Sequence, residues 1–138
     1  MLKTSLLHPE ILAVLGEAGH GSKVLIADGN YPFSSGGNPD ADRVYLNLAP
    51  GLVKVTDVLK ALVTAIPIEA ATVMMPADGP EPAIFEEFRA LLPGLELQKV
   101  GRFEFYDLAR EGDVVLIIAT GEQRIYANLM LTIGVVMP

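Results

Sequence analysis

The sequence lacks cysteine and tryptophan altogether, and its 138 residues include only two histidines. Without cysteine the chain can form no disulfide, no thiol nucleophile and no cysteine-ligated metal site. The histidines, His8 and His20, form no His-x-x-x-His pair or cluster of the kind that binds zinc. The sequence therefore gives no indication of a metal site.

Basic residues are also scarce. The chain has 10 Lys and Arg against 17 Asp and Glu, a net charge of −7 and a pI near 4.7. Such an acidic chain is a poor candidate for binding a phosphate backbone or an anionic membrane surface. We therefore expect no nucleic-acid partner and no membrane partner.

Long hydrophobic runs are missing, although 51% of the residues are hydrophobic and the mean hydropathy is +0.40. The longest apolar segments, Val114–Ala119 and Ala70–Met75, are far shorter than the roughly 20 residues of a membrane helix. Apolar surface buried between subunits explains the composition better. Because Met1–Thr4 does not resemble the start of a signal peptide, we expect a cytoplasmic protein.

Short apolar segments alternate with segments of helical spacing along the whole chain. This alternation predicts one domain, residues 1–138, with an α/β fold: a largely parallel sheet covered by helices on both faces. We expect strands at 23–27, 44–48, 69–75, 95–100, 113–119 and 132–137, and helices at 52–66, 82–92 and 103–110 and from Pro9 onward.

Polar clusters lie where these elements end. Asp28 directly follows the first predicted strand, and ligands of open α/β sheets bind outside the carboxyl ends of strands. The following Gly29-Asn30 favours a turn that leaves the Asp28 carboxylate in the crevice. The alternative is that Asp28 only caps this turn.

The two histidines have different surroundings. His20 lies between glycines in a turn, and its imidazole titrates near neutrality, which suits an acid or base. The alternative for His20 is an exposed loop residue. His8 precedes Pro9 at a helix start, which is typical of a cap.

A second cluster follows the strongest predicted strand. If the segment is extended, Tyr126 and Asn128 lie on one face, where a phenol and an amide suit sugar hydroxyls; an interface tyrosine is the alternative. Arg102 offers a rigid fork of donors for vicinal hydroxyls or for an ion pair. Glu122 is expected to cap a helix or to pair with Arg124 at the surface. Together these groups favour reversible proton transfer on a polyhydroxylated small molecule.

Nearly end to end, the chain resembles the family of ribose pyranases and fucose mutarotases. The Arg-Phe-x-Phe-Tyr run and the Val-Met-Met strand are similar to the fucose branch, although Asn30 stands where that branch commonly has histidine. The motifs that carry the resemblance are Gly19-His20-Gly21, Asp28 with Tyr31-Pro32, Val73-Met74-Met75, Arg102-Phe103-Glu104-Phe105-Tyr106, and Thr120-Gly121-Glu122 with Tyr126-Ala127-Asn128.

The resemblance implies a ring-like homo-oligomer, usually a decamer, with sites between neighbouring subunits, a monosaccharide substrate and no cofactor. It implies an isomerase that interconverts the α and β anomers of L-fucose or a related sugar. His20 and Tyr126 would be the acid–base pair, and Asp28 would orient His20 or bind a hydroxyl. Arg102 and Asn128 would hold the remaining hydroxyls.

Three other functions remain open at this stage. The same residues would serve a D-ribose pyranase, which interconverts pyranose and furanose forms. A non-catalytic sugar-binding or regulatory module would bind sugar without accelerating exchange, and a purely structural oligomer would bind none.

Overall fold

The computed structural model describes all 138 residues, which form six strands and four helices. The strands are β1 (Lys23–Ala27), β2 (Asp42–Tyr45), β3 (Ile68–Met75), β4 (Leu97–Gly101), β5 (Val114–Ala119) and β6 (Leu129–Ile133). The helices are α1 (Pro9–Glu17), α2 (Val55–Leu62), α3 (Ile84–Leu91) and α4 (Arg102–Ala109). The predicted α/β fold is thus confirmed, and β1 has the predicted bounds.

The sheet is mixed, with the strand order β2-β5-β1-β6-β3-β4. The pairs β2·β5, β1·β5 and β3·β4 are parallel, whereas β6 runs antiparallel to both of its neighbours, β1 and β3. The reversal follows from chain length: residues 120–128 between β5 and β6 are fewer than the dozen or so that a parallel crossover requires. The expectation of a largely parallel sheet holds on both sides of β6 but not at β6 itself.

The predicted last strand, 132–137, was placed too late in the chain. The pairing ends at Gly134, whose N–H donates to the carbonyl of Pro67, and the exposed Val135 and Val136 follow it. The strand that does form begins at Leu129 and is hydrogen-bonded on both sides in the middle of the sheet. The β-branched pair Val135-Val136 favours a strand locally, but no neighbouring strand lies beside it.

Helices cover both faces of the sheet, as predicted. On one face α1, α2 and α3 pack through side chains that are fully or nearly fully buried, including Ile11, Leu59 and Phe85. On the other face α4 packs through Phe105, beside the buried Tyr31 of the loop after β1. Burying a side chain of this size stabilises the fold by about 1.5–3 kcal/mol.

The loop after β1 is a fixed part of the second face. The Tyr31 hydroxyl donates to the Gly36 carbonyl at 2.6 Å, and the Asn38 amide donates to the Val114 carbonyl at 2.9 Å. Burial is the main reason that the pKa of the Tyr31 phenol lies above its ordinary value of 10.0. Tyr31 is therefore a structural phenol. None of the helices is both long enough and apolar enough to span a bilayer.

Candidate functional site

A cavity of about 290 Å³ opens at the carboxyl end of β1. Because β6 runs antiparallel to β1, the residues just before β6 meet the residue just after β1 at this end of the sheet. The cavity is lined by Asp28, Asn30, Tyr31, Met74, Arg102, Tyr106, Ile125, Tyr126 and Asn128. It therefore brings together four of the five predicted site residues.

Asp28 and Asn128 form the fixed floor of the cavity. The Asp28 N–H donates to Asn128 Oδ1 at 2.8 Å, and Asn128 Nδ2 donates to Asp28 Oδ2 at 3.1 Å. The backbone N–H groups of Asn30 and Ala127 donate to the same carboxylate at 3.0 and 3.2 Å. Both side chains are buried. Asp28 does cap the turn after β1, and it also faces the cavity.

The Asp28 carboxyl is held in surroundings that disfavour its charge. Burial raises its pKa above the ordinary value of 3.8 and outweighs the donors at Asn30, Ala127 and Asn128, which lower it. A buried carboxylate that is costly to ionise gains from a further hydrogen bond. Asp28 is thus suited to accept one from a sugar hydroxyl.

Tyr126 has the left-handed backbone conformation, with φ of 59°, the only positive φ outside glycine. Such a conformation costs on the order of 1–3 kcal/mol and is concentrated at functional sites. Tyr126 and Asn128 do lie together, as expected, but the segment that carries them is not extended. The chain turns at Tyr126 before it enters β6, and this turn directs both side chains to one cavity.

Arg102 is the first residue of α4 and makes no ion pair. Its guanidinium lies 4.7 Å from the ring centre of the exposed Phe103. A guanidinium without a carboxylate partner keeps its donors free for a ligand. Arg102 therefore supplies the cation of the cavity.

His20 does not lie in this cavity. It precedes β1, whereas Asp28 follows it, so the five residues of β1, about 17 Å of strand, lie between them. The exposed His20 side chain instead contacts Glu69, with Nε2 3.0 Å from Oε2. Within one protomer, Asp28 therefore does not orient His20, which leaves the binding of a hydroxyl as the other role expected of it.

Two further predictions concern capping and pairing. His8 caps α1, accepting from the Ile11 N–H through Nδ1 at 3.4 Å, as predicted. Glu122, expected at the surface, is buried and accepts from Arg124 Nε and Nη2 at 2.9 Å each. Burial would raise the pKa of Glu122, but Arg124 holds it below the ordinary value of 4.5.

Five residues that line the cavity were given no site role from the sequence: Asn30, Tyr31, Met74, Tyr106 and Ile125. Met74 lies on β3, and its place in the Val-Met-Met strand reads as ordinary core. Tyr106 lies one turn after Arg102 on α4, so helical spacing from Arg102 could have found it. No group of three or more His, Asp or Glu side chains in the chain could hold a metal ion. The cavity can thus bind hydroxyls and exchange a proton at a phenol.

Comparison with known proteins gives one consistent family. The model of the RbsD / FucU transport protein family matches residues 1–136. The chain is 34% identical to the fucose mutarotase of Danio rerio over 147 residues, covering 97% of this chain and 92% of that protein.

Two solved structures resemble the fold closely. The fucose mutarotase of Streptococcus pneumoniae in complex with L-fucose has a TM-score of 0.85 at 26% identity, covering 99% of this chain and all of that one. The RbsD of Bacillus subtilis complexed with D-ribose has a TM-score of 0.81 at 26% identity, with the same coverage.

Proposed function

Because the chain belongs to the RbsD / FucU transport protein family, we propose that it is a cofactor-independent sugar mutarotase of the cytoplasm. Its substrate is L-fucose or a closely related monosaccharide, whose α and β anomers it interconverts. The observation that carries the proposal is the cavity that gathers Asp28, Arg102, Tyr126 and Asn128. The likeness to a fucose mutarotase supports the choice of sugar.

The reaction requires two coordinated proton movements. A base takes the proton of the anomeric hydroxyl while an acid protonates the ring oxygen. The bond from C1 to the ring oxygen breaks, and the C1 carbonyl of the open-chain aldehyde forms. After rotation about the C1–C2 bond, the reverse transfers close the ring on the other face. The acid and the base therefore exchange roles, and ring closure returns both to their starting protonation states.

We assign the two proton-transferring roles to Tyr126 and His20. Tyr126 is directed at the cavity by its left-handed backbone. Asp28 and Asn128, fixed by their mutual hydrogen bonds, bind sugar hydroxyls. Arg102 holds a further hydroxyl at the entrance. This assignment requires an imidazole that the protomer's own cavity lacks.

A neighbouring copy supplies that imidazole in the proposed assembly. The cavity lies at one end of the sheet and the exposed His20 at the other, so a head-to-tail contact places His20 of one copy over the cavity of the next. Head-to-tail contacts close into a ring where the rotation between successive copies adds up to a full turn. The resemblance favours a decamer built from such rings.

Exposed apolar side chains support this contact. One group lies at the cavity end of the sheet, and the other follows β6 at the His20 end. They are Leu48, Leu52, Phe103 and Ile125 at the first end and Val135, Val136 and Met137 at the second. Joining them would bury the apolar surface that explains the high mean hydropathy.

Saturation-transfer NMR between anomer signals tests the function. L-fucose, D-ribose and a panel of other sugars are compared with and without protein. Transfer that depends on the protein, strongest for L-fucose, is expected. Accelerated exchange between the pyranose and furanose forms of D-ribose, without an effect on L-fucose, would identify the alternative, a ribose pyranase, which the likeness to the ribose-bound RbsD favours. Line broadening without transfer would mean a binding module.

Mixing two inactive variants tests the shared site. His20→Ala removes the donated imidazole, and Tyr126→Phe removes the phenol of the receiving cavity. Rings assembled randomly from equal amounts of both variants contain intact sites at about a quarter of their interfaces. Recovery of about that fraction of the activity is expected, whereas no recovery would mean that each site belongs to one copy.

A further inference from the structure

We propose that Glu69 is a positioning residue that fixes the orientation and tautomer of His20. The inference rests on the proposed function, because it concerns how His20 is prepared for proton transfer. The Glu69 carboxylate accepts the Nε2–H of His20 and leaves Nδ1 to exchange protons with the sugar. No local pattern in the sequence indicates this pair, whose members are 49 residues apart.

One ring nitrogen of His20 contacts both carboxylate oxygens of Glu69. His20 Nε2 lies 3.1 Å from Oε1 and 3.0 Å from Oε2 of Glu69. An ionised carboxylate only accepts hydrogen bonds, so Nε2 must carry the hydrogen. The other ring nitrogen, Nδ1, has no partner within the protomer. A neutral His20 is thereby held as the Nε2–H tautomer, with a free lone pair on Nδ1.

The backbone of β3 is irregular where Glu69 lies. Ile68 pairs with Ile133 of β6 and Ala70 pairs with Thr132, so the register shifts across Glu69. Shifts of this kind re-aim a side chain and are common next to active sites. Regular pairing would make Glu69 one more member of the alternating pattern. The irregularity instead accompanies a side chain directed at His20.

The turn that holds His20 is tied to the same point of the sheet. Gly21, with φ of +86°, donates its N–H to the Ile133 carbonyl at 2.9 Å. The next residue, Gly134, leaves room for Glu69, because a Cβ there would lie 3.2 Å from the Glu69 Cβ. Three separate segments thus converge to put the imidazole and the carboxylate side by side.

The pair has the arrangement of an oriented catalytic base. A third group that holds a base in one tautomer also stabilises the positive charge that forms when the base takes a proton. When Nδ1 accepts the proton of a sugar hydroxyl, the imidazolium keeps its Nε2–H on the Glu69 carboxylate. Glu69 therefore contributes to the proton-transfer step and not to sugar binding.

Kinetics of three variants test the inference. Glu69→Gln keeps the shape of the side chain but can either accept from or donate to Nε2, so it fixes no tautomer. We expect kcat for anomer exchange to fall about 10- to 100-fold, less than the full effect of a positioned acid or base, with KM nearly unchanged. Glu69→Asp should recover part of kcat. Glu96→Gln, an equal charge change at an exposed site without an ion pair, should match the parent.

The ¹⁵N shifts of the imidazole nitrogens supply a readout independent of activity. The chain has only two histidines, so a His8→Gln background leaves His20 as the single signal. The parent is expected to show the Nε2–H tautomer, and Glu69→Gln a mixture of both.

Two results would overturn the inference in an active enzyme. One is an unchanged kcat in Glu69→Gln, and the other is a lower kcat without any change in the His20 tautomer. An inactive parent protein, by contrast, would overturn the proposed function itself.

Discussion

The two ends of the sheet carry the side chains of the proposed site in opposite ways. At the carboxyl end of β1, Asp28 and Asn128 are buried and hydrogen-bonded to each other. At the amino end, His20 and Glu69 contact each other at the surface, with 60% and 44% of their side-chain area exposed. One end is a buried, hydrogen-bonded cavity, and the other presents the proposed base to solvent within the protomer.

This difference separates two requirements that most sites combine. A fixed, buried binding surface needs the rigid interior of a protomer, because every polar group in it must find a partner. A base that acts on a ligand held by another copy must protrude. The contrast predicts that changes at the two ends affect activity and stability in different proportions.

The largest expected effect is the loss of activity in His20→Ala. Removing a positioned acid or base lowers the rate about 10²–10⁴-fold. The free energy of unfolding of the protomer should change by no more than about 0.5 kcal/mol, because the side chain is exposed within its own protomer. Saturation transfer and urea unfolding measure the two quantities on the same sample.

His8→Ala is the matched control for that experiment. It removes the cap of α1 and should cost about 0.5–2 kcal/mol of stability while leaving the exchange rate intact. A His20→Ala protein that folds normally and exchanges anomers at the parent rate would exclude His20 from the reaction.

The next effect in size is destabilisation by Asp28→Asn. The new amide must place its NH₂ against a donor, either from Ala127 and Asn128 or from Asn30. A mispaired buried donor costs about 1–3 kcal/mol. Urea unfolding at equal protomer concentration should show this loss, and the exposed Asp78→Asn should show none. Equal stability of Asp28→Asn and the parent would mean that the cavity floor is not rigid.

The smallest expected effect concerns pH. Arg124 keeps the pKa of Glu122 below 4.5, so the stability from this pair is present above that pH and is lost as the pH falls through the folded-state pKa. The free energy of unfolding of Glu122→Gln should therefore be about 1 kcal/mol lower at neutral pH. It should also fall less than that of the parent as the pH is lowered. Urea midpoints from neutral to acidic pH measure both changes.

The pH dependence of stability that Asp28 contributes has the opposite sign to that of Glu122, which separates the buried cavity from the Glu122–Arg124 pair. Its pKa is raised in the folded state, so the folded protein holds that proton more tightly. Its contribution to stability therefore falls as the pH rises from the ordinary value of 3.8 through the folded-state pKa. Asp28→Asn should remove this slope, while a variant in which the slope persists would assign it to another group.

Much of the fold could be predicted because its signals are local. The apolar run of β5 and the Gly-rich turn before β1 place two strands within a residue of their observed bounds. The direction of β6 could not be found in this way, because it depends on how few residues follow β5. Val135 and Val136 misled the prediction since strand preference says nothing about whether a partner strand is present.

The residues of the candidate site likewise divide into those that local sequence patterns predict and those that depend on tertiary packing. Asp28 was predicted from its position at a strand end, and the structure places it in the cavity. Tyr126 and Asn128 were predicted from the alternation of an extended segment, but a turn at Tyr126 brings them to the same cavity. The contact between His20 and Glu69 joins residues 49 apart through an irregular strand pairing, which leaves no periodic trace in the sequence. The burial of Glu122 likewise depends on tertiary packing that short-range patterns do not encode.

Strand β6 sets the distance between the cavity and the turn that holds His20. Its amino end directly follows Asn128 of the cavity floor. At its carboxyl end, the Ile133 carbonyl accepts a hydrogen bond from the N–H of Gly21, in the turn that holds His20. Five residues of strand thus set a span of about 17 Å, clamped on both edges by β1 and β3. In the proposed ring, this spacing sets how far the cavity of each copy lies from the histidine that the same copy offers to its neighbour. An insertion or deletion inside β6 would therefore misalign every site of the proposed assembly at once, even with all the proposed catalytic side chains present.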